Sequence, residues 1–338
     1  MAQRPRIVGG QTALQKKFSF VANVVSVDSV YTGKNCTGAL ISQQLVMTTA
    51  NCLMTSGLTW FNPDLMSVSF GESNHNVYKV HQALISDDYH SNTFSHNVGL
   101  IILASPVPES VAIPVKILSE KFTIRTPVFA IGYGMSGSNL NTYPNNAQIV
   151  QLSIISDEKC SAYKSFDSTT QLCATGKADS GLCIGDEGAP LVVSNKAKTT
   201  VALVGIASYS TELAGTKETV CGKSERVSYF EISRSWTGWI SKAANVSYDD
   251  IIVSLNITTD FEPGDTSNNP GDKISNSSKD AEAGFLDFDS ALSAGIIEGP
   301  LPDAEPSLIS DGTYHAAYNA KGMALMSLML LAVASTNF

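Results

Sequence analysis

The sequence predicts an all-β body followed by an acidic tail of different texture. Three observations carry that expectation. Short apolar or alternating runs separated by turn residues recur through residues 7–243, a pattern of barrels or sandwiches. All six cysteines lie in that stretch. The charge is also uneven: residues 1–244 hold 19 Lys and Arg against 17 Asp and Glu, whereas residues 245–338 hold 3 against 14. A near-neutral body joined to an acidic segment follows, and the lack of a basic patch excludes nucleic acid as a partner.

Strands are expected at 20–27, 45–49, 68–70, 98–103, 128–131, 149–155, 191–193 and 201–207, each an apolar or alternating run. Turn residues such as Gly132, Gly134 and Gly137 divide them. Residues 159–165 read as a short helix. Residues 232–244 place Trp236, Trp239 and Ile240 at helical spacing, one face against the body. Residues 248–257 alternate weakly as a strand. Residues 260–283 are so poor in apolar side chains that burial does not offset chain entropy, and disorder is expected there.

An even set of cysteines without a C-x-x-C pair favours disulfides over zinc, the alternative being six reduced buried thiols. Spacing alone leaves 15 pairings open for Cys36, Cys52, Cys160, Cys173, Cys183 and Cys221. Disulfides imply an oxidising compartment. Asn35, Asn245, Asn256 and Asn276 each open an N-x-[ST] triplet, the acceptor pattern for glycosylation in such a compartment. The first six residues contain no apolar core of a secretory leader.

Residues 322–338 are 17 residues without a charge, short of the roughly 20 that span a bilayer. Ser310, Asp311 and Gly312 are followed by a polar spacer at 313–321, the layout of a GPI-attachment signal with those three residues as attachment candidates. A C-terminal amphipathic or tail-anchor helix is the alternative.

The motifs converge on one family. Residues 45–52 read LVMTTANC, 96–103 read HNVGLIIL and 183–191 read CIGDEGAPL. They resemble the TAAHC, DIAL and GDSGGPL motifs of trypsin/chymotrypsin-like serine proteases. Residues 7–10 (IVGG), 36–42 (CTGALIS) and 204–209 (VGIASY) follow in that family's order, and the resemblance covers residues 7–243. It implies a double six-stranded β-barrel with a C-terminal helix. It also implies the pairings Cys36–Cys52, Cys160–Cys173 and Cys183–Cys221, each worth about 3 kcal/mol by loop closure. The expected organisation is a pro-segment at 1–6, a protease-like domain at 7–244, an acidic, disordered segment at 245–321 and the apolar tail at 322–338.

The resemblance also places Asn51, Asn97 and Glu187 where the family keeps its general-base histidine, orienting aspartate and nucleophilic serine. An amide takes no proton near neutral pH, and a carboxyl is not a hydroxyl nucleophile of the family type. The expectation is therefore a chain that is not an enzyme. It would act by binding a protein partner, within the family most like the glucanase inhibitor proteins, with a secreted hydrolase such as an endoglucanase as partner. The alternatives are an active serine-type endopeptidase with an unconventional site, or a GPI-anchored surface or adhesion protein on a protease scaffold. A secreted or cell-surface location is expected. No cofactor and no metal are expected, since Asp186 and Glu187 offer too few oxygen ligands for a cation. His96 is expected to point away from Asn97, and His75, His81 and His90 to lie at the surface.

Two further readings rest on the resemblance. Arg6–Ile7 is read as a processing bond whose new amino terminus pairs with Asp186, the alternative being that Arg6 is an exposed tail residue. Glu187 is expected either to block the site, by folding its carboxylate back onto backbone N–H groups near Gly185, which would lower its pKa, or by sitting nearby and biasing the pocket against anionic ligands, or to swing into solvent. Gly181 stands where a trypsin carries its base-binding aspartate, and the short spacing from Cys221 to Arg226 alters the pocket wall.

Overall fold

Alternation of side chains across a pleated strand explains most of the architecture. In the strand Gln148–Ile154, Val150, Leu152 and Ile154 are buried while Ile149, Gln151 and Ser153 are not. Strands of this kind close into two barrels in the computed structural model. It describes residues 10–28, 33–71, 75–124, 126–135, 143–163, 166–176, 180–211, 221, 226–255 and 257.

A two-residue strand, β1 (Gln11–Thr12), pairs with the second barrel. The first barrel comprises β2 (Val21–Val27), β3 (Gly33–Ser42), β4 (Leu45–Thr48), β5 (Met66–Phe70), β6 (Val77–Ile85) and β7 (Gly99–Leu103). They close antiparallel in the order β2-β3-β4-β7-β6-β5. Leu40, Met47, Phe70, Leu100 and Ile101 are fully buried there. The second sheet adds β8 (Ile117–Leu118), β9 (Val128–Gly132), β10 (Gln148–Ile154), β11 (Gln171–Thr175), β12 (Pro190–Ser194), β13 (Val201–Ser210), β14 (Ser228–Ile232) and β15 (Ile252–Val253). Because β12 pairs with both β9 and β13, six strands close in the order β12-β9-β10-β11-β14-β13. Val128, Leu152, Leu191, Val204 and Phe230 fill this barrel. The expected pair of six-stranded barrels is the fold found.

Three disulfides join Cys36 to Cys52, Cys160 to Cys173 and Cys183 to Cys221, as the resemblance implied. The helix expected at 159–165 begins two residues earlier, as α1 (Asp157–Tyr163), with Asp157 and Glu158 in its first turn facing the positive helix end. The C-terminal helix opens as a 3₁₀ turn, Ser233–Trp236, and continues as α2 (Thr237–Ala244), burying Ile240.

The expected domain boundary after residue 244 is corrected. Asn245 ends α2 in the left-handed conformation, and its N–H bonds Ser241 O. The chain then turns through α3 (Tyr248–Ile251), a helical turn where a strand was expected, and buries Ile251 completely. β15 runs parallel to β8, and Ser119 N donates to Val253 O at 2.9 Å. Val253, Leu255 and Ile257 pack on the second barrel's core. The period-two spacing of these apolar residues keeps residues 245–257 on the body despite the acidic composition around them. The disorder expected at 260–283 and the apolar tail at 322–338 lie outside the described residues.

Candidate functional site

A cleft of about 220 Å³ is lined by residues from both barrels. Asn51 and Phe94 come from loops of the first barrel, and residues 182–184, Asp186, Glu187, residues 207–210 and Arg226 from the second. Its two sides are built differently.

On one side is a chain of amides and hydroxyls. Asn51 sits in the 3₁₀ turn that follows β4. Its backbone N–H donates to Asn97 Oδ1 at 3.0 Å, and its side-chain Oδ1 accepts from Thr49 Oγ1 at 2.6 Å. Asn97, fully buried, donates from Nδ2 to Ser208 Oγ at 2.9 Å. Behind it, Asn97 N donates to Glu231 Oε1 at 3.2 Å, and Gln171 Nε2 donates to the same oxygen at 2.8 Å. Glu231 is fully buried in β14, and burial pushes its carboxyl up to about 7 against those two donors. His96 turns away from Asn97, as expected, but for another reason than strand alternation. It precedes β7 with φ 54°, and its ring meets Trp236 edge-on at 5.6 Å.

On the other side is the loop Cys183–Gly188. Asp186 is 1% exposed and accepts from Gly134 N at 2.8 Å and Cys183 N at 2.9 Å. Burial is the largest influence on its carboxyl, raising it to about 7, and the two N–H donors oppose the rise. A Cβ at Gly134 would overlap the Asp186 carboxylate, so the close approach requires glycine. Gly188, at φ 83°, lies against Thr37 O where a side chain has no room.

Glu187 folds back. Gly185 N donates to its Oε2 at 2.8 Å, the first of the two arrangements expected for this side chain. The expected direction of its pKa is corrected. The carboxyl lies above the ordinary range because burial outweighs the backbone N–H groups of Glu187 itself and Gly185. The positive charges of Lys34 and Arg226 also oppose the rise. Lys34 Nζ reaches Asn51 O at 2.6 Å, and burial lowers its own pKa while Glu187 raises it.

Thr37 ties this loop to the first barrel. Its N–H donates to Glu187 O at 2.8 Å, its Oγ1 donates to Gly185 O at 2.9 Å, and its own carbonyl accepts from Thr48 Oγ1 at 2.8 Å.

The structure thus brings Asn51, Asn97, Asp186 and Glu187 to one cleft. Sequence reasoning missed Ser208, Glu231, Gln171, Lys34 and Thr37. Ser208 stood within the quoted VGIASY motif, a signal that was present; Glu231 and Lys34 lay in strands with no motif to mark their charge. Asn35 is half-buried in β3 and Asn245 is exposed at the end of α2. Arg6, Ile7, Asn256, Asn276, Ser310, Asp311 and Gly312 lie outside the described residues.

Residues 7–231 match the family model described as Trypsin. Among curated proteins, "Transmembrane protease serine 11G" of Rattus norvegicus is 30% identical over 223 residues, covering 62% of this chain and 50% of the relative. "Chymotrypsin-2" of Vespa crabro is 29% identical over 206 residues, covering 60% of this chain and 88% of the relative. "Trypsin II-P29" of Gallus gallus is 29% identical over 205 residues, covering 58% and 77%. The chain spans about half the length of the first of these relatives. These matches overturn the expectation, drawn from Asn51, Asn97 and Glu187, that the chain is not an enzyme: the proteins it resembles are named as serine proteases.

Proposed function

This chain belongs to the trypsin family, and from that premise we propose that its cleft holds a segment of another secreted protein, a hydrolase of the endoglucanase class. The observation that carries the reading is the cleft itself, about 220 Å³ and walled by Phe94, Leu182, Ile184 and Tyr209. The loop after Asn51 presents Leu58 and Trp60, both more than half exposed, on a turn braced by Thr55–Thr59 hydrogen bonds. A rigid turn carrying large apolar side chains loses little entropy on contact. The resemblance to glucanase inhibitor proteins supports the partner class. Three disulfides fit an oxidising compartment, and a secreted or GPI-anchored location belongs to the same proposal. Among the described residues, no helix is long and apolar enough to cross a membrane.

The test is binding of a purified secreted endoglucanase to the full chain and to Ile184→Arg, which places a charge at the cleft mouth. Binding weakened at least about tenfold in the variant is expected. Equal binding to both would remove the cleft from the reading, and no binding to either would remove the partner class.

Peptide hydrolysis at the same cleft is the second reading, favoured by the protease names of the relatives. Ser208 and Ser210 line the cleft and carry hydroxyls. Labelling of one of them by a fluorophosphonate probe, with peptide turnover that follows the protein through purification, supports this reading. Absence of both overturns it.

A further inference from the structure

Behind the neutral wall of the cleft, a buried carboxyl holds the loop that carries Phe94. That loop is strained: Phe94 and His96 both take left-handed backbone angles, φ 56° and 54°. Strain of this kind in a non-glycine residue persists only where the surroundings impose it. Two hydrogen bonds do so here. Gln171 Nε2 donates to Phe94 O at 3.3 Å, and Asn97 N donates to Glu231 Oε1 at 3.2 Å. Gln171 Nε2 also donates to Glu231 Oε1 at 2.8 Å, so both ends of the strained stretch lead to one carboxyl oxygen.

The other oxygen is different. Glu231 Oε2 is buried and meets no partner among the described residues. Neither does the buried indole nitrogen of Trp236, which lies close enough to favour the anion. The acid carries its proton on the oxygen that accepts no donors, here Oε2. Two hydrogens then face each other and no bond forms. With the proton gone, Oε2 accepts from the indole N–H. The unmade bond is thus the one the acid cannot make, and burial keeps the acid form up to about 7. Among the surrounding groups, Asp167 ahead of β11 opposes the anion by its own charge, and Tyr209 of β13 is raised in part by it. His96 before β7 and Arg234 after β14 are the neighbouring basic side chains, each with a buried nitrogen that no partner meets among the described residues.

From this arrangement we propose that Glu231 is a proton-operated latch on the cleft: on giving its proton to solvent it takes Trp236 Nε1 as a third donor, and the shift passes to the loop of Phe94. The route is short. The His96 ring meets Trp236 edge-on at 5.6 Å, and His96 stands between Phe94 and Asn97 in the chain. The Phe94 ring lies 5.5 Å from that of Tyr209, and both line the cleft. Two settings of one loop, chosen by one proton, give the cleft two shapes, and a ligand that fits one better is bound according to pH. That regulatory use rests on the proposed cleft-binding function; the latch itself does not.

The experiment follows the full chain by NMR from about pH 5.5 to about pH 8.5, reading the Trp236 indole N–H, the Glu231 side-chain carboxyl carbon and the Phe94 ring. One shared midpoint for all three is expected, with the indole proton moving downfield as its bond forms. In Glu231→Gln the amide cannot ionise, so the indole and Phe94 should stay still across the range. A titration of both that survives in this variant belongs to another group, such as His96, and overturns the latch. An indole that titrates in the unaltered chain while Phe94 stays still overturns it too. Should Glu231→Gln lose its native melting transition, the coincidence of the three midpoints in the unaltered chain decides. Affinity for a purified secreted endoglucanase is then compared at pH 6 and pH 8. The ratio of the two affinities should differ at least about threefold between the unaltered chain and Glu231→Gln. The same ratio in both proteins overturns the regulation of the cleft. No binding to either removes the partner class of the proposed function, and the three midpoints still decide the latch.

Discussion

The two sides of the cleft face each other yet obey different chemistry. The side built on Asn51, Asn97 and Ser208 is satisfied by amides and hydroxyls, and its hydrogen bonds need no proton to be gained or lost. The loop at 183–188 holds Asp186 and Glu187, two adjacent carboxyls on backbone N–H groups, and burial raises both. A titratable neighbour of the neutral side, Glu231, lies behind it rather than in it. The contrast teaches that proton-linked behaviour enters this cleft from the loop and from behind the wall, not from the wall itself.

The largest effect is expected outside both regions, as a control. A chain ending after Ala244 loses Ile251, Val253, Leu255 and Ile257 from the second barrel. Deleting one fully buried and three partly buried aliphatic side chains should lower stability by about 3 kcal/mol, whereas a chain ending after residue 257 should melt within about 0.5 kcal/mol of the full chain. Equal melting of the two truncations would show that residues 245–257 contribute nothing.

Next, Gly134→Ala forces a methyl into the space of the Asp186 carboxylate. A loss of about 2–3 kcal/mol in denaturant unfolding is expected, with the cleft amides around Asn97 unshifted. Shifts spreading to Ser208 would break the separation of the two sides.

The pH profile sharpens it. Folded, Asp186 and Glu231 keep protons up to about 7, whereas the unfolded chain releases them near the ordinary carboxylate value of about 4. Between those values the folded state binds more protons, so stability should fall as pH rises through that window and level off above it. The slope is at most about 1.4 kcal/mol per pH unit for each group. Asp186→Asn should remove one share and Glu231→Gln another, Glu187 adding a share of the same sign, while Asn97→Ala should leave the slope in place. A slope unchanged in Asp186→Asn would assign it elsewhere. A free amino group at Ile7, if it reaches Asp186 as the sequence motif proposes, would favour the anion and erase that share.

The smallest change is Ser208→Ala, which strips Asn97 Nδ2 of its acceptor. About 1 to 2 kcal/mol of stability should be lost, equally at pH 5 and pH 8. A loss confined to one of these pH values would show that the wall titrates after all.

The fold was largely legible because the strands carrying it are short apolar runs bounded by turns, and the motifs fixed their order. Strands β3, β6, β11 and β14 lie outside the expected runs, β6 and β14 for a physical reason. β6 buries only Val80, so its face toward the core gives almost no alternation, and β14 (SYFEI) is buried along its whole length, polar residues included. Glu231 is the sharpest case: nothing local marks it, because its partners Asn97 and Gln171 are 134 and 60 residues away. Glu187 was foreseen in place but not in proton affinity. Hydrogen bonds can be guessed from a motif, whereas the loss of water around a carboxyl depends on how the second barrel closes over it.

Thr37 gives the molecule a mechanical property. One residue of the first barrel grips the backbone of the second at Gly185 and at Glu187, and is itself anchored by Thr48. On the other side of the cleft Asn97 joins the same two barrels through Ser208 and Glu231. The opening is thus stitched along both edges, and an isosteric Thr37→Val change, which removes the bond to Gly185 O, would slacken one seam while the other holds.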